Sequence, residues 1–208
     1  MLWTLFLLLK AKKGGKVLDS IFLYVEKNGE ITITGLKEGV SDTSIVIPET
    51  IDGMPVIEIG PKAFQSTSIT DIKIGANIRK IGDEAFYSCE KLSSVTWNQK
   101  CDVIPSDCFA ECSNLTQFDF SNIKRIGAHA FENSGLTSVR LSKETAVDQS
   151  GFACCNDLEK IEWLSARNIK GDIFKECKNI KEIYISDKVK NIEASAFASS
   201  PNAEITFI

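Results

Sequence analysis

Histidine is almost missing from this chain, with a single residue among 208. Imidazole acid–base catalysis, serine triads and most zinc sites each need a placed histidine, so His129 alone leaves those classes little to work with. An excess of one charge is missing too. Lys and Arg number 24 against 28 Asp and Glu, for a net charge of −4 at pH 7. With a sequence pI near 5.2, nothing in the charge balance favours a nucleic-acid partner. Long apolar runs are lacking: Met1 to Leu9 is nearly all apolar but holds only nine residues, against roughly 20 for a membrane-spanning helix. The remaining composition, 43% hydrophobic and 25% charged, is that of an ordinary globular protein and excludes disordered, collagen-like and polytopic membrane classes.

What the chain does have is repetition. Phe64, Phe86, Phe109, Phe131, Phe152, Phe174 and Phe197 stand 21 to 23 residues apart. Five positions before each comes an aliphatic residue: Ile59, Ile81, Ile104, Ile126, Val147, Ile169 and Ile192. Immediately before each Phe sits Ala63, Ala85, Cys108, Ala130, Gly151, Ile173 or Ala196, and three after it Thr67, Cys89, Cys112, Ser134, Cys155, Cys177 or Ser200. A triplet follows, such as Leu92, Val95 and Trp97, or Leu158, Ile161 and Trp163, giving a unit I-G-x-x-A-F-x-x-C-x-x-L-x-x-I-x-I. The last part alternates apolar and polar residues and predicts a short strand with one face buried. The first part spaces its apolar residues as a helical or 3₁₀ turn would, with Gly allowing a tight backbone. One unit cannot bury its own apolar face, so units must stack. Strands one period apart then lie parallel at about 4.8 Å, in a sheet roughly 40 Å long, and the Phe side chains form one column.

The segments IGDEAFYSCEKLSSVTW (81–97), IPSDCFAECSNLTQFDF (104–120) and IGAHAFENSGLTSVRL (126–141) resemble the BspA-like leucine-rich repeats. The stretch GEITITGLKEGVSDTSIVIPETIDGMPVIEIGPKAF (29–64) is similar to the segment that often leads into such arrays. The likeness covers about residues 21–208. It implies an α/β repeat solenoid: a right-handed leucine-rich-repeat coil with a parallel β-sheet on the concave face and short helical or 3₁₀ turns on the convex face. It further implies adhesion or protein binding, often at microbial surfaces, with host or extracellular-matrix proteins among the partners and no catalytic residue to carry over.

Three parts follow along the chain: an apolar and basic segment at 1–20, a capping hairpin with the first strand at 21–58, and seven repeats at 59–208. Asn28-Gly29 is the dipeptide for a tight hairpin turn, and Ile45 to Ile47 read as the first strand. Lys10, Lys12, Lys13 and Lys16 follow the apolar start, the reverse of a secretory signal. That segment is expected to pack on the first repeat or to be a start-site artefact, with contact to anionic lipid as the alternative. No capping segment follows Glu204 to Ile208, which leaves an open end for self-association or for a longer chain.

The seven cysteines, 89, 101, 108, 112, 154, 155 and 177, are odd in number, so a complete disulfide framework within the chain is excluded. Four of them share a repeat slot with Thr67, Ser134 and Ser200, as expected of small buried positions. No further ligand stands at zinc spacing. Gly14-Gly15-Lys16 shares the end of a phosphate loop, but Val17 stands where Ser or Thr belongs. His129 is expected on a solvated convex turn. No catalytic, cofactor or metal residue is assigned.

Function is expected instead from the strand residues that point away from the core. Stacking the repeats lines up Val46, Lys73, Thr96, Asp119, Arg140, Glu162, Tyr184 and Thr206, flanked by Asp71, Ser94, Gln117, Ser138, Lys160, Glu182 and Glu204. Lys73, Thr96, Asp119, Arg140, Glu162, Tyr184 and Thr206 are the candidate partner-binding residues of a non-catalytic adhesion module. The alternative is a structural spacer in a larger surface protein, in which Asp119, Arg140 and Glu162 merely neutralise one another. The resemblance places the chain at the cell surface or secreted; thiols that look reduced and the lack of a signal favour the cytoplasm.

Overall fold

The computed structural model describes residues 20–142, 145–164 and 166–208; the expectations for the apolar, lysine-rich start and for Gly14-Gly15-Lys16 lie outside them. The described chain is a solenoid with three sides. On one side run β3 (Ser44–Val46), β6 (Asp71–Lys73), β8 (Ser94–Thr96), β11 (Ser138–Leu141), β13 (Lys160–Trp163), β15 (Glu182–Ile185) and β17 (Glu204–Phe207). They pair in parallel in two groups, β3-β6-β8 and β11-β13-β15-β17. A second side carries shorter parallel pairings: β5 (Met54–Ile59) with β7 (Lys80–Ile81), β9 (Val103–Ile104) with β10 (Arg125–Ile126) and β12 (Ala146–Val147), and β14 (Asn168–Ile169) with β16 (Asn191–Ile192). The third side is built of turns. Each coil is numbered below by its Phe, from coil 1 (Phe64) to coil 7 (Phe197).

The N-terminal end is covered. β1 (Phe22–Lys27) and β2 (Glu30–Leu36) form an antiparallel hairpin through Asn28-Gly29, both in the left-handed region at φ 55° and 76°. β2 then lies parallel to β5, and β4 (Thr50–Ile51) turns back on β5. The hairpin places the Phe22 ring edge-on to Phe64, 6.5 Å between centroids and 88° between planes.

From there the rings form the expected column. Phe64, Phe86, Phe109, Phe131, Phe152, Phe174 and Phe197 stack at centroid distances of 5.2–5.6 Å. The first six are at most 1% exposed. Offset stacking sets ring centroids slightly wider than the about 4.8 Å of paired strands; the long-strand side is the face expected to be concave. Offset-stacked rings also contribute beyond their buried area, about 0.5–1.5 kcal/mol per pair.

The turn side departs from expectation, and the α/β description goes with it. Among the described residues no α- or 3₁₀-helix forms. The residues two before and two after the first five Phe adopt positive φ: Lys62 and Ser66, Glu84 and Ser88, Asp107 and Glu111, His129 and Asn133, Ser150 and Cys154, all at 53–62°, and after Phe174 Glu176 does so at 60°. A helix needs consecutive negative φ, so this alternation forbids it. Alternate N–H groups are thereby aimed along the solenoid. Glu84, Phe86 and Ser88 donate to the carbonyls of Ser106, Cys108 and Ala110 one coil on, at 2.8–3.0 Å. The intervening N–H groups close local turns, as Cys89 N–H does on Phe86. The convex side is thus a second inter-coil ladder, which satisfies main-chain groups that a helix would have paired internally.

Gly in the I-G pair serves proximity, not φ. A Cβ on Gly82 would sit 2.4 Å from Pro61 N, and one on Gly127 2.7 Å from Ser106 N.

Candidate concave binding face

The exposed residues of the long strands fall where the spacing places them. Val46, Lys73 and Thr96 are paired in register across β3, β6 and β8. Arg140, Glu162, Tyr184 and Thr206 are paired across β11, β13, β15 and β17. Asp119 joins neither set. It lies in coil 3 outside any strand, where its carboxylate accepts the Ser121 N–H at 3.0 Å. Of the expected mutual neutralisation of Asp119, Arg140 and Glu162, the Arg140–Glu162 pair forms, within a wider set of contacts.

Those contacts link three strands, β11, β13 and β15. Arg140 Nε lies 3.2 Å from Glu162 Oε2, Lys160 Nζ is 3.3 Å from Glu162 Oε1, and the same ammonium is 3.6 Å from Glu182 Oε2. Tyr184 donates its hydroxyl to Glu182 at 3.1 Å, and Lys160 Nζ stands 4.8 Å from the Tyr184 ring centroid. The hydrogen bond to Glu162 raises the Lys160 pKa, and the bond to Glu182 raises that of Tyr184. Both groups therefore keep their protons throughout the neutral range. Register explains the arrangement: cross-strand neighbours are 22 residues apart, and Lys160 reaches Glu162 along its own strand. Sequence spacing identified these residues as a face; the central role of Lys160, treated as a flanking residue, emerges only from which neighbour each long side chain selects.

The cysteine slot is as expected for small buried positions. Cys89, Cys112, Cys155 and Cys177 are fully buried and free. Each thiol donates to the carbonyl of the preceding coil's Phe, at 2.9 Å for Cys89 on Phe64, 3.2 Å for Cys112 on Phe86, 3.1 Å for Cys155 on Phe131 and 3.0 Å for Cys177 on Phe152. Burial pushes the Cys101 thiol up to about 11. Burial also raises Cys112, and the hydrogen bond to Cys155 together with burial raises Cys177. Thiols held protonated are poor nucleophiles and poor metal ligands. His129 sits on the turn side with Nδ1 2.6 Å from Glu132 Oε2. Among the described residues no three His, Cys, Asp or Glu side chains are placed to share a metal ion. No helix among them is long and apolar enough to cross a membrane. A cleft of about 580 Å³ lies on the turn side between coils 6 and 7, beside Lys170, Glu193 and Ser195. It is remote from the strand face.

Comparison with solved structures gives the same architecture. A leucine-rich repeat protein of T. pallidum aligns with a TM-score of 0.76 at 22% identity, over 91% of this chain and 91% of that one. A leucine-rich repeat protein from Bacteroides ovatus aligns at 0.68 and 24% identity, over 86% of this chain and 53% of that one, so this chain spans about half its length. One from Eubacterium ventriosum aligns at 0.54 and 19% identity, over 91% of this chain and 58% of the other. No curated protein matches the sequence. The family model described as BspA type leucine rich repeat region matches in six copies, over residues 37–159 and 145–208. Such repeat proteins are generally protein-binding or surface proteins, and the match indicates no catalytic family. With ring column, parallel strand ladder and repeat sequence in agreement, the chain belongs to the BspA type leucine-rich repeat family.

Proposed function

We propose that this chain is a non-catalytic module that offers its concave strand face to a protein partner, in adhesion at the cell surface or as a secreted protein. The observation that carries this reading is the network of Arg140, Glu162, Lys160, Glu182 and Tyr184 on paired strands. Side chains that already restrain one another lose less freedom on binding, so a partner meets a preorganised surface. Tyr184 supplies an aromatic anchor of the kind that dominates interfaces, with Thr206 beside it and Lys73, Thr96 and Asp119 farther along the face. Host or extracellular-matrix proteins are the partner class. Self-association through the last coil fits the exposed Ile205, Phe207 and Ile208.

The test is binding of the full chain to purified matrix proteins immobilised on a biosensor. Tyr184→Ala combined with Arg140→Glu should abolish a signal that the unaltered chain gives, while leaving the thermal unfolding midpoint within a few degrees. Binding that survives both substitutions would move the site off this face. A chain that binds no matrix protein would favour the spacer reading, which rests on the same ion pairs having no net charge to offer. Sedimentation velocity of Phe207→Lys tests the self-association separately: the unaltered chain should associate and the variant should not.

A further inference from the structure

The strand side is divided. β8 ends the first group and β11 begins the second, and residues 116–120 of coil 3 between them form no strand. Aromatic side chains account for the gap. Trp97, Phe118 and Phe120 take the inward places that Ile72, Ile74, Val139, Leu141, Ile161 and Ile183 hold in other coils. Their rings meet at steep angles: Trp97 with Phe118 at 5.5 Å and 63°, Phe118 with Phe131 at 5.3 Å and 68°, Phe120 with Phe131 at 5.3 Å and 65°. Three large rings crossing at these angles in adjacent coils do not form the flat aliphatic layer of the other coils, and no strand pairing joins β8 to β11 there. A single large ring is tolerated, as Trp163 in β13 shows; adjacent coils filled with rings are not.

The opening registers in burial. Val95 and Phe118, at the middle inward positions of coils 2 and 3, are half-buried, whereas Ile72, Val139, Ile161 and Ile183 are 0–2% exposed. On the convex side the same coil is sealed. Its Ser106, Cys108 and Ala110 carbonyls accept from coil 2, and its Asp107, Phe109 and Glu111 N–H groups donate to Ala128, Ala130 and Glu132 at 2.8–2.9 Å.

We infer that coil 3 is a flexure: the plates β3-β6-β8 and β11-β13-β15-β17 tilt about the continuous convex ladder, opening or narrowing the concave face. Lys73 and Thr96 ride on one plate, and Arg140, Glu162 and Tyr184 on the other. Distances within a plate stay fixed while distances between plates vary. This holds whatever the face binds, and its tests use the chain alone.

Hydrogen exchange on the full chain is the first test. The amides of Phe118, Asp119 and Phe120 should exchange roughly tenfold or more faster than those of Ile161 and Ile183, which are paired in the second plate. Protection closer than that overturns the flexure. Spin-label distances between Lys73→Cys and Tyr184→Cys, in a Cys154→Ser chain, give the second. Their distribution should be broad and should narrow when Phe118→Ile and Phe120→Ile restore the aliphatic pattern. A distribution equally narrow in both chains overturns the flexure, and the exchange test stands even where the Ile variant fails to fold.

Discussion

The repeat slot three residues after each Phe allows a sharp test at Cys112. Its side chain is fully buried, and its thiol donates to the Phe86 carbonyl at 3.2 Å. That carbonyl also accepts the Cys89 N–H at 3.2 Å, so loss of the thiol leaves it half-satisfied, not orphaned. Cys112→Ala should therefore cost the net value of one hydrogen bond, about 1 kcal/mol, plus about 1 kcal/mol for a void the size of one heavy atom. Cys112→Ser keeps a donor and nearly the volume and should cost under about 1 kcal/mol. Cys112→Val removes the donor and forces a branched side chain between coils, for about 2–4 kcal/mol. The expected order of cost is Ser, Ala, Val. Urea unfolding followed by circular dichroism measures it, with the midpoint shifting at constant slope. A slot that merely wants apolar volume gives the reverse order, so Ser costing more than Ala would refute the claim that the carbonyl selects this residue.

Removing a ring from the column should cost more. Phe131 stacks between Phe109 and Phe152 and meets Phe118 and Phe120 edge-on, so Phe131→Ala should lose about 3–5 kcal/mol in the same urea assay. Gly82→Ala should cost about 1–3 kcal/mol from crowding against Pro61 alone; a neutral result by calorimetry would mean that the coils can part there freely. Stability should also fall in alkali. The Cys101 thiol is raised from 9.0 to about 11 when folded, so its contribution is full below pH 9 and is lost as pH rises from 9 towards 11. Unfolding midpoints flat through that window would contradict the burial of these thiols.

Periodicity in the sequence was enough for the ring column and the strand register, because both depend on a residue type recurring at fixed spacing. It could not reveal how the convex turns are bonded. Positive φ is usually signalled by Gly or Asn, yet here Lys62, Glu84, Asp107, Glu111 and Cys154 adopt it. The reason is collective: each such residue aims its own N–H, or that of its neighbour, at the next coil, and the strain of about 1–2 kcal/mol per residue is offset only once a neighbouring coil supplies the carbonyl. A single repeat read alone looks like a helical turn, since nothing within it accepts those bonds. The concave face follows similar logic. Lys73, Arg140 and Tyr184 were legible as outward residues from alternation, whereas the gap at Asp119 arises from Trp97, Phe118 and Phe120 acting together. Each of those aromatics satisfies the apolar pattern by itself; their crowding shows only once adjacent coils are stacked. Both departures thus occur where a property belongs to adjacent coils and not to one repeat. The two ladders also fail in different places, the concave one at coil 3 and the convex one between coils 6 and 7, where the convex N–H of Glu176 reaches the Ser199 hydroxyl and not a carbonyl. Coils 1–2 and coils 4–6, bonded to one another on both sides, are the two segments from which the rest of the solenoid should propagate on folding.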